Sequence, residues 1–185
     1  MTEPAFLEFY ARTAGRLNGY LRKLTGDASL AEDLLQEAYL RFLTRSRVLD
    51  DDEHQKNYLF RIATNLARDH FRREQSRLRL GYGDAGSRVR DGSGEVRVRQ
   101  GYGETGFADD CGEIWALLAR LSSRDRELLL LAYVEGMTHK EISQVTGLMR
   151  ASVKPLLFRA RRRFASVLTS AGFAPVLAQE SGVRS

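Results

Sequence analysis

Four arginines fall within five positions near the C-terminal end, Arg159, Arg161, Arg162 and Arg163, with Lys154 shortly before them. Guanidinium groups at that density neutralise phosphates and reach base edges in a duplex groove. A second set, Arg61, Asn65, Arg68 and Arg72, is spaced by four, three and four, which places all of them on one face of a helix. Arg73 and Arg77 extend that charge, and Tyr58 and Phe60 stand at its head. Cations, an amide and aromatic rings are the groups that hold unpaired nucleic acid: they neutralise its backbone, bond its open edges and stack on its bases. The plain alternative for each set is a solvated helix face, with Tyr58 and Phe60 in the core for the second set, and basic residues also suit helix C-termini. Charge distribution decides for the C-terminal set. The chain carries a net +5, and residues 150–185 hold seven basic side chains against one acidic, while 1–50, 51–78, 79–111 and 112–149 each lie within one charge of neutral.

Other chemistries find little support. Asp50, Asp51, Asp52 and Glu53 could attract a divalent cation. Consecutive carboxylates point in different directions, however, and His54, His70 and His139 lack metal-ligand spacing, so no metal, cofactor or catalytic centre is expected. His70 reads as part of the core. The lone cysteine, Cys111, has no partner for an internal disulfide, in keeping with a reducing cytosol and a cytoplasmic protein. No apolar run approaches the ~20 residues that span a bilayer, and Met1 to Phe6 has no basic-then-apolar pattern of a signal peptide. Neither a membrane nor a small-molecule substrate is implied.

The elements that must position these residues read as helices throughout. Phe6, Tyr10, Leu17, Leu21 and Leu24 mark one apolar helix face. Gly26-Asp27 ends it, and Ser29-Leu30-Ala31-Glu32 reads as a capping box opening a second helix that buries Leu34, Leu35, Ala38 and Phe42. Its other side carries a polar stripe of Asp33, Gln36, Glu37 and Arg41, suited to solvent or to a protein partner. The acidic run at Asp50 heads a third helix, which continues to about Arg77 with Leu59, Ile62, Ala63, Leu66 and His70 inward. From 79 to 112 the pattern dissolves: nine of the sixteen glycines lie here, with a partial repeat, Gly81-Tyr82-Gly83 and Gly101-Tyr102-Gly103. Such a segment loses much backbone entropy on ordering and buries little, and it reads as a flexible linker. The fold expected is all-α: a helical domain over 1–78, the linker over 79–112, a second domain over 113–170 and a short tail over 171–185.

Within the second domain, Ile114, Leu117, Leu118 and Leu121 form a short amphipathic helix. Ser122 with Asp125 caps the next, which carries Leu128 through Tyr133 and stops at Gly136. Thr138-His139-Lys140-Glu141 is a second capping box, and Gly147 breaks the helix it opens. A capped short helix, a turn containing glycine and a basic second helix are the parts of a helix-turn-helix. On a wheel, Val153, Leu156, Leu157, Ala160, Phe164 and Val167 share one face of the last helix. Lys154, Phe158, Arg159 and Arg162 lie opposite, with Arg161 and Arg163 on the flanks. Pro155 predicts that this helix starts at Ser152, or bends near the proline, because a proline inside a helix removes an N–H and costs roughly 3 kcal/mol.

The chain at this point resembles the extracytoplasmic-function (ECF) class of bacterial RNA polymerase sigma factors. The resemblance rests on Ala31-Glu32-Asp33-Leu34-Leu35-Gln36-Glu37-Ala38-Tyr39-Leu40, on Tyr58 through Asp69, and on Glu141-Ile142 with Val153-Lys154 and Arg159-Ala160-Arg161-Arg162. It implies that Asp33, Gln36, Glu37 and Arg41 dock on the clamp helices of core RNA polymerase. It further implies that Leu49, Tyr58, Arg61, Asn65, Arg68, Arg72 and Arg73 capture the melted −10 strand of promoter DNA. Ser152, Lys154, Phe158, Arg159, Arg162 and Arg163 would read the −35 duplex, on a domain that also meets the polymerase flap. Relatives thread the linker toward the RNA exit channel, a path with which Asp109 and Asp110 are compatible, and many are held inactive by an anti-sigma factor. Pro155-Leu156 stands where members often carry Ser-Arg, so the reading face lacks a hydrogen-bonding residue. The competing expectation is a stand-alone helix-turn-helix regulator, which would need a dimer to span two half-sites; no heptad seam offers one.

Overall fold

A computed structural model describes residues 2–45, 51–79, 88–90, 96–98 and 112–173. Leu49, Asp50, Cys111, the paired Gly-Tyr-Gly motifs, Asp109, Asp110 and the tail beyond Phe173 lie outside the described residues. Three helices come first: α1 (Glu3–Thr25), α2 (Ala28–Arg45) and α3 (Asp52–Arg79). Gly26 ends α1 at φ 74°, a left-handed conformation that glycine adopts without strain. Helix α2 then begins earlier than a capping box at Ser29 predicts. The Asp27 carboxylate accepts from the Leu30 N–H at 3.0 Å, so Asp27 is the cap and Ser29 sits inside the first turn. Asp51 caps α3 in the same manner, accepting from the Glu53 N–H at 3.2 Å.

The three helices close around Leu17, Tyr20, Leu21, Ala38, Phe42, Leu59, Phe60 and Ala63. Phe9 and Phe42 stack at 5.0 Å between ring centres. Two buried hydroxyl pairs, Tyr20 with Thr64 at 3.0 Å and Thr13 with Tyr39 at 2.7 Å, tie α1 to α3 and to α2. Tyr10 is exposed and Phe6 only half-buried, while Phe9 and Thr13 take the inner positions near the start of α1. His70 is also half-buried, edge-on to Phe71, and does not complete the core.

Within the segment read as linker, two short strands pair antiparallel: β1 (Arg88–Arg90) and β2 (Val96–Val98), with Val89 opposite Arg97. The sequence pattern predicts no strand here. Alternating Arg and Val over three residues is too short a pattern to register against nine glycines.

The C-terminal helices are α4 (Gly112–Leu118), α5 (Ser123–Leu129), α6 (His139–Thr146) and α7 (Arg150–Ser170). The Ser122 cap forms, its oxygen accepting from the Asp125 N–H at 3.2 Å. The helix it opens does not stay α-helical to Tyr133. Leu130–Val134 widens into a π-turn, in which the Glu135 N–H reaches the Leu130 carbonyl at 3.0 Å. The Thr138–Glu141 capping box is complete, and Gly147 closes α6 at φ 74°.

These helices do not stand apart from the first three. One continuous apolar core runs from Leu17, Leu21 and Leu24 through Leu128 and Leu131 to Ile142, Val145 and Val153. Helix α5 lies in the middle, buried from Asp125 to Leu129, with α1 on one flank and α7 on another; α6 packs along α3.

Candidate nucleic-acid interface

Helix α7 presents the face that its periodicity requires. Val153, Leu157 and Ala160 are buried, Leu156, Phe164 and Val167 half-buried, and Lys154, Phe158, Arg159, Arg161 and Arg162 exposed. The Arg162 guanidinium lies over the Phe158 ring at 5.9 Å. Ser152 is half-buried in the first turn, its N–H donating to the Met149 carbonyl at 2.8 Å. The start at Ser152 is corrected: α7 begins at Arg150 after a Met149 cap and runs through Pro155. The missing bond is the one from residue 155 to the Ala151 carbonyl. Both residues are exposed, so solvent can satisfy that carbonyl and the cost falls below that of a buried proline.

Arg163 belongs to the packing as much as to the surface. It donates to both oxygens of Asp125, at 3.0 and 2.8 Å, and so fastens α7 to the N-terminus of α5. Asp125 in turn accepts from the Ser122 hydroxyl at 3.0 Å.

On α3 the structure divides the predicted stripe. Arg61 and Asn65 are exposed, Arg73 is exposed, and Arg72 is exposed while pairing with Asp69 one turn back at 2.7 Å. Arg68 is different. Its guanidinium donates to both oxygens of Glu127 on α5, at 2.8 and 2.6 Å, and to the Thr146 carbonyl at the end of α6, at 3.0 Å. The Glu127 side chain is only 3% exposed. Burial pushes its carboxyl up from the ordinary range and the bonds from Arg68 pull against that shift. Burial likewise opposes the charge on Arg68, but Glu127 outweighs it and keeps the guanidinium firmly protonated. The aromatic pair at the head of α3 is corrected too. Phe60 is sealed in the core against Tyr20, and Tyr58 is half-buried against Phe42. Neither ring stands free beside the arginines, because in this register both turn toward the bundle.

The α2 stripe is on the surface. Asp33, Gln36 and Arg41 are exposed, Glu37 is half-buried, and Arg41 donates to Glu37 at 2.6 Å. Leu40, which sequence reasoning passed over, lies in this stripe at 61% exposure. Its signal is a simple one: a leucine one helical turn beyond Gln36 falls on the polar side. A second apolar surface was also missed. Ile114, Tyr133 and Val134 are exposed beside Trp115, Leu118, Phe164 and Leu168, lining a groove between α4, the π-turn and α7. Among the described residues of the acidic run, Asp51 serves helix capping and Asp52 an ion pair. Asp51 holds the Glu53 N–H and lies 2.7 Å from His54, and Asp52 receives a bidentate Arg12 at 2.6 and 3.1 Å.

A helical body with a helix-turn-helix and two arginine-bearing helix faces is that of a DNA-binding protein. Residues 9–77 match the family Sigma-70 region 2, and residues 111–164 match Sigma-70, region 4. The ECF RNA polymerase sigma factor SigL of Mycobacterium tuberculosis is 30% identical over 164 residues, covering 88% of each chain. SigM of Bacillus subtilis, also an ECF sigma factor, is 28% identical over 158 residues, 84% of this chain and 90% of the relative. The sigma factor RpoE of Bartonella quintana, solved with the anti-sigma factor NepR, has the same fold: TM-score 0.68 at 18% identity, over 89% of this chain and 97% of that one. The chain belongs to the ECF class of RNA polymerase sigma factors, DNA-binding initiation factors that are not enzymes in themselves.

Proposed function

We propose a division of labour among three surfaces of this alternative sigma factor, which works in the cytoplasm as a non-enzymatic subunit of RNA polymerase. The α2 stripe of Asp33, Gln36, Glu37 and Arg41, with Leu40 set in it, docks on the clamp helices of the core enzyme. An exposed leucine among charged residues supports this, since it offers apolar area that water alone would not select. The α3 face of Arg61, Asn65, Arg68, Arg72 and Arg73 takes the melted −10 strand. The α7 face of Lys154, Phe158, Arg159 and Arg162 enters the −35 duplex, with Ser152 and Arg163 at its edges. The groove beside Tyr133 and Val134 is the seat for the polymerase flap. The domain division is 1–78 and 113–170, each element reading its own part of the promoter.

The observation that carries this reading is the pair of exposed cationic faces on two different helices, α3 and α7, each opposite a buried apolar side. The test is promoter-directed transcription with added core polymerase. Replacing Arg61, Arg68 and Arg72 together by alanine is expected to abolish open-complex formation while core binding persists, measured by permanganate footprinting and by pull-down. Loss of core affinity in that variant would place the polymerase, not DNA, on this face.

A further inference from the structure

Of the four residues that share the α3 face, Arg68 is the one that another part of the chain claims among the described residues. Three acceptor oxygens surround its guanidinium: two from Glu127 and one from the carbonyl of Thr146, all within 3.0 Å. That is the arrangement a phosphate offers an arginine, several oxygens around one planar fork. The Thr146 carbonyl belongs to the C-terminal turn of α6, whose partial negative charge strengthens the likeness. Neighbouring contacts hold the same closure. The Asn57 amide donates to Gln144 at 3.0 Å, Lys56 lies 3.8 Å from Glu141, and the Arg126 guanidinium donates to the Leu24 carbonyl at the end of α1 at 2.8 Å.

We propose that Glu127, with the end of α6, is an internal substitute for a nucleic-acid phosphate: it occupies Arg68 while α5 and α6 lie against α3, so that the free chain is closed to single-stranded DNA and must part these helices to receive it. This rests on the reading of α3 as the strand-capturing helix. The same arginine cannot serve both acceptors. A strand backbone reaching Arg68 displaces Glu127, and a closed chain withholds one of the cations the strand needs. Arg61, Asn65 and Arg72 remain open to solvent in the closed form, so the first encounter with DNA does not require opening; completion does.

The experiment uses the full chain without polymerase and a fluorescent single-stranded DNA oligonucleotide. Glu127→Gln removes the competing charge and leaves Arg68 in place, whereas Arg68→Ala removes both the lock and the phosphate contact. Glu127→Gln is expected to raise the radius of gyration in small-angle scattering and to tighten oligonucleotide binding about tenfold, the factor recovered when a closed state favoured about ten to one is abolished. Arg68→Ala is expected to open the chain without tightening. A third variant, Asn57→Cys with Gln144→Cys in a Cys111→Ser background, bridged by a short bismaleimide, holds the helices together. It is expected to bind core polymerase yet lose promoter-specific initiation, while the unbridged variant initiates. Unchanged affinity in Glu127→Gln, with or without expansion, overturns the proposal, as does equal initiation by bridged and unbridged chains. Should the wild-type chain fail to initiate with core polymerase, the reading of function fails instead, and the oligonucleotide measurements still decide this one.

Discussion

Side chains of the same type have different fates here, and the difference is set by what lies across from each. Arg159 and Arg162 face outward from α7 with no acidic side chain paired to them among the described residues, whereas Arg163, one position on, is bound by Asp125 through two bonds. Replacing Arg159 and Arg162 by alanine is therefore expected to weaken promoter binding by the holoenzyme and to flatten its salt dependence, by about one unit of log–log slope for each phosphate left without its cation. Binding titrations across a range of salt concentrations check this; an unchanged slope would remove both residues from the DNA face. The same change at Arg163 should act first on stability, since it leaves the Asp125 carboxylate, nearly buried, without its cation.

At the scale of elements, the caps decide where the helix-turn-helix begins and turns. The Thr138 oxygen accepts from the Glu141 N–H, and the Glu141 carboxylate accepts from the N–H and the hydroxyl of Thr138 at 2.8 Å each. Burial disfavours charge on Glu141, yet these bonds, with Lys56 nearby, hold its carboxyl below the ordinary value. Its contribution to stability is thus present above the usual glutamate range and is lost as pH falls through the lowered folded value. Thr138→Ala is expected to cost about 1 kcal/mol in urea unfolding at neutral pH. That difference should shrink once the medium is acid enough to protonate Glu141 in the folded chain. A penalty that stays constant across this range would show that the carboxylate takes no part in the cap.

For the molecule as a whole, the consequence lies in the shared core. Two domains on a tether would melt separately. Leu24, Leu128, Leu131 and Ile142 instead belong to one apolar cluster, and α5 is enclosed between the two groups of helices. The free chain is expected to unfold in one cooperative transition, with calorimetric and van't Hoff enthalpies in agreement. Two resolved transitions in the wild-type chain would mean that the closed arrangement contributes little in solution.

The helices, their caps at Ser122 and Thr138, the left-handed glycines at 26 and 147, and the outward cations of α7 were all legible in the sequence. Each depends on spacing within one element, where a period of 3.6 and a local hydrogen bond fix the outcome. The fates of Arg68, Glu127, Arg126 and Tyr58 were not legible. Nothing in the spacing of Ser123-Arg124-Asp125-Arg126-Glu127 marks it for burial, yet its last three side chains are buried, and acceptors or donors on α1, α3 and α7 meet them. A buried charge is tolerable only when a partner meets it, and those partners lie from 38 to 102 positions away in the chain. Periodicity marks which face of a helix turns inward; only the packing of helices distant in sequence decides what that face, or the face opposite, will touch.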